Sequence, residues 1–155
     1  MRIVYRIASL RFVRDLSGEG ARISGARWNR KGTPVVYTAE SRSLAAFECL
    51  VDVSLQDLPY GLKIVSIGVP KEITPKEITP DDLPKGWQLD PPPFIVADFG
   101  SRWAESKESL LLRVPSVVVP HEYNMLINPL HPDMKSISII EEEDFVFDER
   151  IFKDK

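Results

Sequence analysis

The sequence predicts an α+β domain dominated by antiparallel sheet, and three observations lead there. Several short β-branched runs are spread along the chain, only one or two stretches have the composition of a true helix, and the regular strand–helix alternation of a doubly wound parallel fold is absent. A chain of 155 residues suits a compact single domain spanning positions 1–155, long enough to bury roughly two thirds of the surface its unfolded form exposes. Hydrophobic residues at 43% and charged residues at 28% give no reason to invoke disorder or a fibre.

Taken in order, Ile3–Ile7 alternates apolar and polar positions and reads as an opening strand, with Arg6 on the same face as Val4. Ser17–Gly32 holds Gly18, Gly20, Gly25 and Gly32 and reads as a turn-rich loop able to bring backbone close to a ligand. Val35–Thr38 is the next strand. A helix is expected from an N-cap at Ser41 to about Ser54. On it Leu44, Phe47, Glu48, Val51 and Leu55 fall in one stripe, although Ala46, Cys49 and Val53 make the opposite face apolar too. Ile64–Val69 is a β-branched strand closed by Pro70.

Residues 70–93 repeat KEITP twice, at Lys71–Pro75 and Lys76–Pro80, and end in Pro91-Pro92-Pro93. Their prolines remove backbone donors, so this stretch reads as an ordered surface excursion with a turn near Asp81-Asp82. Phe94–Glu108 carries Trp103 on a short helix. Leu110–Val114, Val117–Val119, Ile137–Ile140 and Phe145–Phe147 are expected as strands.

Several function classes fall away. A net charge of −3 has the wrong sign for broad nucleic-acid binding. The single cysteine, Cys49, excludes an internal disulfide and a multi-cysteine zinc site, fits a reducing cytosol, and reads as a small buried hydrophobe. The N-terminus lacks a signal-peptide pattern and no apolar run approaches the ~18 residues that span a bilayer, which points to the cytoplasm. Gly18-Glu19-Gly20 lacks the third glycine of a dinucleotide fingerprint, and His121 and His131 lack metal-site spacing. No GxSxG elbow surrounds Ser116.

The segment GARWNRKGTPVVYTAESRSLAAFE is the best candidate for chemistry, because it sets Arg27, Tyr37 and Glu48 on three different local structures. Glu48 among Leu44, Phe47 and Val51 is costly unless paired, and Arg6 or Arg27 would reduce that cost. Read from pattern alone, the three residues are equally well a surface arginine, a core aromatic and a helix carboxylate paired with a lysine.

This segment, together with LLLRVPSVVVPHEYNMLINPLHP, resembles the RES-domain family of toxins, which act in type II pairs with Xre-like antitoxins. The resemblance runs from Tyr5-Arg6 to about Pro132 and rests on RWN, YTAES, the glutamate eleven residues after the tyrosine, VPS and NP-x-HP. It implies an ADP-ribosyltransferase-like fold, two facing sheets around a cleft that takes NAD as substrate, with no prosthetic group. It implies NAD breakdown by a glycohydrolase or phosphorylase, with transfer of ADP-ribose to a protein as one alternative and a non-catalytic binding module as another. The site residues it implies are Arg27, Tyr37 and Glu48, with Arg6, Ser116 and Asn124 at further pocket positions. An Xre-like antitoxin is the implied partner, and a homodimer is plausible on the same basis.

The chemistry expected of that set is specific. Nicotinamide leaves NAD as a neutral molecule, so one carboxylate suffices where glycosidases place two around an oxocarbenium-like transition state. Glu48 is expected to stabilise the charge developing at the anomeric carbon, Arg27 to bind pyrophosphate with help from Arg6, and Tyr37 to face the nicotinamide. Ser116 and Asn124 are expected to hold amide or ribose groups.

Overall fold

The computed structural model describes residues 1–52 and 61–153. Seven strands run in the order β4-β5-β6-β2-β1-β3-β7, with β1 Arg2–Ser9, β2 Val36–Ala39, β3 Leu62–Val69, β4 Lys76–Glu77, β5 Leu111–Pro115, β6 Tyr123–Ile127 and β7 Ser138–Phe145. Every pairing is antiparallel except β4 with β5, so the expected α+β class and antiparallel character hold. Two facing sheets were implied. Here the hydrogen-bonded ladder continues from one half to the other through the single Tyr5–Ala39 pair between β1 and β2.

Strand alternation sorts the side chains onto two faces. Val4, Val36, Val65, Ile67, Met125 and Ile127 pack on one. On the other lie two helices, α2 Arg42–Asp52 and α3 Phe94–Ser106. Leu44 and Ala45 of α2 rest on Ala39, Tyr5 and Ile7, whereas Val96, Trp103 and Ala104 of α3 rest on Leu112, Val114 and Leu126. Tyr37 pairs with Leu126 and Ala39 with Asn124, so Tyr37 and Asn124 belong to this helix-covered face.

Helix α2 starts as expected, since the Ser41 hydroxyl accepts from the Leu44 amide at 3.1 Å. Its expected end at Ser54, and Leu55 of its stripe, lie outside the described residues. The stripe itself is corrected. Phe47 and Val51 are 53% and 63% exposed, and the buried positions are Leu44, Ala45 and Cys49. One side of the helix rests on β1 and β2, so the apolar arc is rotated toward Ala45 and Cys49. Phe47 instead borders an outer apolar groove of about 270 Å³ with Leu50, Val146 and Ile151.

Other boundaries also differ. Residues 17–32 contain a short helix, α1 Glu19–Ser24, ended by Gly25 at a positive φ of 68° that favours glycine. Val117–Val119 forms no strand, because the chain turns there between β5 and β6, and β6 itself was not foreseen. The two strands expected at 137–140 and 145–147 are one strand, β7, whose acidic middle lies on the sheet edge where polar side chains stay solvated. Among the described residues no helix is long and apolar enough to cross a membrane.

The 70–93 excursion is ordered, but its two repeats do different things. The second contributes β4, buries Ile78, and uses Thr79 with Asp82 as a capping box for a 3₁₀ turn at Pro80–Asp82, where a turn was expected. Trp87, 7% exposed, inserts beside Trp28 and Trp103.

Helix α3 approaches the backbone of Trp28 so closely that a Cβ on Gly100 would lie 1.8 Å from the Trp28 carbonyl oxygen. Gly100→Ala is therefore expected to destabilise the protein by about 3 kcal/mol, the upper range for overpacking, because backbone rather than a flexible side chain must yield. Urea denaturation measures this, and an unchanged midpoint contradicts the contact.

Candidate active site

The RWN segment is a tight turn in which the Ala26 amide donates to the Asn29 carbonyl at 3.0 Å and the Asn29 amide donates to the Ala26 carbonyl at 3.3 Å. Trp28 turns inward and is buried. The Tyr37 hydroxyl accepts from the Trp28 amide at 3.1 Å and donates to Asn29 Oδ1 at 2.6 Å. Asn29 Nδ2 shares its hydrogens among the carbonyls of Ala21, Arg30 and Thr33 at 2.8, 3.2 and 3.1 Å. The Ser101 hydroxyl on α3 accepts from the Arg30 amide at 2.8 Å. The turn that presents Arg27 is thus fixed to β2, α1 and α3 together.

Tyr37 was expected chiefly as an aromatic face for a ligand. Its hydroxyl lies deep, and burial raises its pKa above the usual phenol range, so it acts as a neutral hydrogen-bonding tie. Arg27 Nη1 donates to the carbonyls of Trp87 at 2.8 Å and Leu89 at 3.0 Å. Among the described residues its Nε and Nη2 make no hydrogen bond.

Glu48 projects from α2 toward the loop after β5. Ser116, 5% exposed, donates its hydroxyl to Glu48 Oε1 at 2.9 Å while accepting from the amides of Val118 and Val119 at 3.0 and 3.1 Å. The two amides fix the hydroxyl's direction, which leaves its one hydrogen for the carboxylate. Burial raises the Glu48 pKa first of all, and Asp52 adds to the rise. Ser116, the Asn124 amide and the charge of Arg27 pull the other way. Asn124 Nδ2 also reaches the Thr38 carbonyl at 3.4 Å.

Five of the six expected site residues therefore converge on the helix-covered face: Arg27, Tyr37, Glu48, Ser116 and Asn124. Arg6 does not join them. It pairs with Val65 and so projects from the opposite face of the sheet, where its Nη1 donates to the carbonyls of Phe12 at 2.8 Å and Val13 at 2.6 Å. A cavity of about 160 Å³ bordered by Arg6, Asp15, Gly18, Val36 and Tyr37 includes neither Glu48 nor Arg27.

Sequence reasoning missed Asn29, Asp52 and Asp90. Asp52 is one helical turn beyond Glu48; its carboxyl is raised mainly by desolvation, is lowered by Arg27, and feels Asp90 as a like charge. The i, i+4 spacing was visible, whereas the approach of Asp90 from the proline-rich excursion was not. Among the described residues no cluster of side chains forms a metal site, and His131 Nδ1 instead caps a 3₁₀ turn by accepting from the Asp133 amide at 3.0 Å.

The RES domain pattern matches residues 3–148. The chain belongs to the RES-domain family. A relative from Sphingobium sp. (strain YBL2), the "Prs ADP-ribosylating toxin", is 44% identical over 141 residues, 90% of this chain and 88% of its own length. "Toxin Res" of Photorhabdus laumondii subsp. laumondii is 38% identical over 155 residues, 99% of both chains. In fold, this RES domain is similar to a chain of the M. tuberculosis MbcT-MbcA toxin-antitoxin complex, with a TM-score of 0.72 at 17% identity over 94% of this chain and 84% of that one.

The raised pKa of Glu48 means that the folded protein holds this proton more tightly than the unfolded chain, so ionising Glu48 costs stability as pH rises through the folded-state value. Glu48→Gln is expected to raise the melting temperature at neutral pH. The gain should shrink as pH falls through the folded-state value toward 4.5, the ordinary glutamate value, and vanish below it, where both proteins are neutral at this position. Thermal melts across that range check this, and a variant less stable than wild type at pH 7 contradicts it.

Proposed function

We propose that this RES-domain protein is the toxin of a toxin–antitoxin pair and acts by cleaving NAD at its nicotinamide–ribose bond. The observation that carries the reading is Glu48, a half-buried carboxylate directed by the Ser116 hydroxyl at 2.9 Å and close enough to Arg27 to feel its charge. A carboxylate in such surroundings is only partly hydrated, and its field acts strongly on a nearby cation.

In the proposed reaction the bond between ribose C1′ and the pyridinium nitrogen breaks, and its electron pair neutralises the departing nicotinamide. Positive charge grows on C1′ and the ring oxygen, and Glu48 stabilises it while holding a ribose hydroxyl. An acceptor oxygen then bonds to C1′ and releases its proton. The Nε–Nη2 edge of Arg27 suits one phosphate of the pyrophosphate as a side-on, bidentate contact. Tyr37 serves twice, tying the turn that carries Arg27 and offering its ring to the nicotinamide. Ser116 orients Glu48, and Asn124 supplies a neutral amide to carboxylate or ribose. Arg6 is assigned no part in holding NAD.

The name of the Sphingobium relative favours a second outcome, in which the acceptor is a protein side chain and the product a stable ADP-ribose adduct. The names of the relatives also support a toxin role, and with it a dedicated antitoxin as partner.

Glu48→Gln is expected to lower kcat for nicotinamide release by about 10²–10³-fold, the range for loss of a preorganised charge-stabilising group, while NAD still binds. Turnover at the wild-type rate would refute Glu48 as the catalytic group. Mass spectrometry of the ribose-containing product separates the acceptors: free ADP-ribose indicates water, its phosphorylated form phosphate, and an adduct on a co-incubated protein a transferase.

A further inference from the structure

The Arg27 contacts join the RWN turn of the site to the part of the chain with the least orthodox texture. The 70–93 excursion begins as a proline-punctuated repeat that adds β4 to the sheet edge, and its far end is built into the molecule at two further points. Trp87 is buried beside Trp28, the neighbour of Arg27, and the carbonyls of Trp87 and Leu89 both accept from Arg27 Nη1. Both carbonyls point the same way because the chain between them is tightly wound: the Trp87 amide donates to the Pro84 carbonyl at 3.2 Å and the Leu89 amide to the Gly86 carbonyl at 3.1 Å. Gly86 adopts φ +85°, a conformation that favours glycine, and a Cβ there would lie 3.1 Å from Leu89 Cδ1.

An arginine at a loop surface ordinarily spends rotamer entropy when it grips a ligand. Two neutral carbonyls remove that freedom in advance and leave the charge intact. They also occupy one terminal nitrogen, so the guanidinium meets an anion along its Nε–Nη2 edge. We propose that the Gly86–Leu89 turn is a positioning element for Arg27, holding the guanidinium in the orientation that binds the pyrophosphate of NAD. This rests on the reading of the site as an NAD-cleaving centre. Leu89 and Trp87 act through backbone carbonyls, so side-chain identity matters only at Trp87 as anchor and at Gly86 for the shape of the turn.

The test is steady-state kinetics of nicotinamide release by the full chain for wild type, Gly86→Val, Arg27→Lys and the double variant. Arg27→Lys and Gly86→Val are each expected to raise KM for NAD by about tenfold, the equivalent of one hydrogen bond to a charged group, with kcat within about threefold of wild type. The double variant should be no more than about twofold worse than Arg27→Lys, because the turn has nothing left to orient. Gly86→Asn, which tolerates a left-handed backbone, should retain a KM near wild type. Gly86→Ala is run alongside, since it strains the turn with less bulk and keeps the test open where the valine variant misfolds. A KM unchanged in folded Gly86→Val or Gly86→Ala protein, or effects that multiply in the double variant, overturns the positioning role while leaving NAD cleavage standing. A wild-type protein that releases no nicotinamide overturns the underlying reading of the site as well.

Discussion

The hydrogen bond from Ser116 to Glu48 couples the two halves of the helix-covered face. It runs from the end of β5 to the middle of α2 and fixes an ionisable group where its charge is poorly solvated. Such a group detracts from stability, and a chain selected for packing alone would place an apolar side chain there. Its presence makes sense when the same lack of water strengthens its action on a cation. The backbone supports the arrangement, because the amides of Val118 and Val119 hold the serine oxygen and commit its hydrogen to the carboxylate.

Opposite that carboxylate, the arginine is held by a hierarchy of neutral contacts. Asn29, 1% exposed, knits the RWN turn to α1 and to its own following loop, and Tyr37 ties Asn29 and Trp28 to β2. Gly100 admits α3 to the back of Trp28, and Trp87 closes the remaining side. A rigid tryptophan next to a charged arginine lets the core position the charge without burying it. The same strategy appears on a smaller scale at Arg113, which lies over the Tyr123 ring at 3.8 Å while bridging Glu40 and Glu77.

Much of this was legible in the sequence, for physical reasons that differ by residue. β1, β2 and β3 were readable because each holds β-branched or aromatic residues that suit a pleated, half-buried surface. Ser41 announced α2 by its capping chemistry. The acidic run of β7 hid the continuity of the two strands expected there, since the solvated middle of an edge strand lacks the apolar signature. The exposure of Phe47 was hidden too, because a helix apolar on both faces does not declare which face its neighbours cover. Within the site, Arg27, Tyr37 and Glu48 could be singled out as candidates from the family resemblance, because pattern alone reads them equally well as a surface arginine, a core aromatic and a paired helix carboxylate. Arg6 was included through the resemblance alone; strand alternation puts it on the face of Val4, and its pairing with Val65 keeps it there, away from Glu48. Asn29 and Asp90 were invisible because their roles depend on contacts with residues distant in sequence.

The central claim is that an ionised Glu48, with its affinity for a proton raised by burial, drives loss of nicotinamide. The pH dependence of kcat/KM for nicotinamide release reads the ionisation of groups in the free enzyme. The account predicts an acidic limb on which the rate rises with pH through a midpoint above 4.5, the ordinary value for a glutamate, and then levels off as the carboxylate becomes fully charged. A rate that is level from neutral pH down to that value, or that increases as Glu48 takes up its proton, would contradict it.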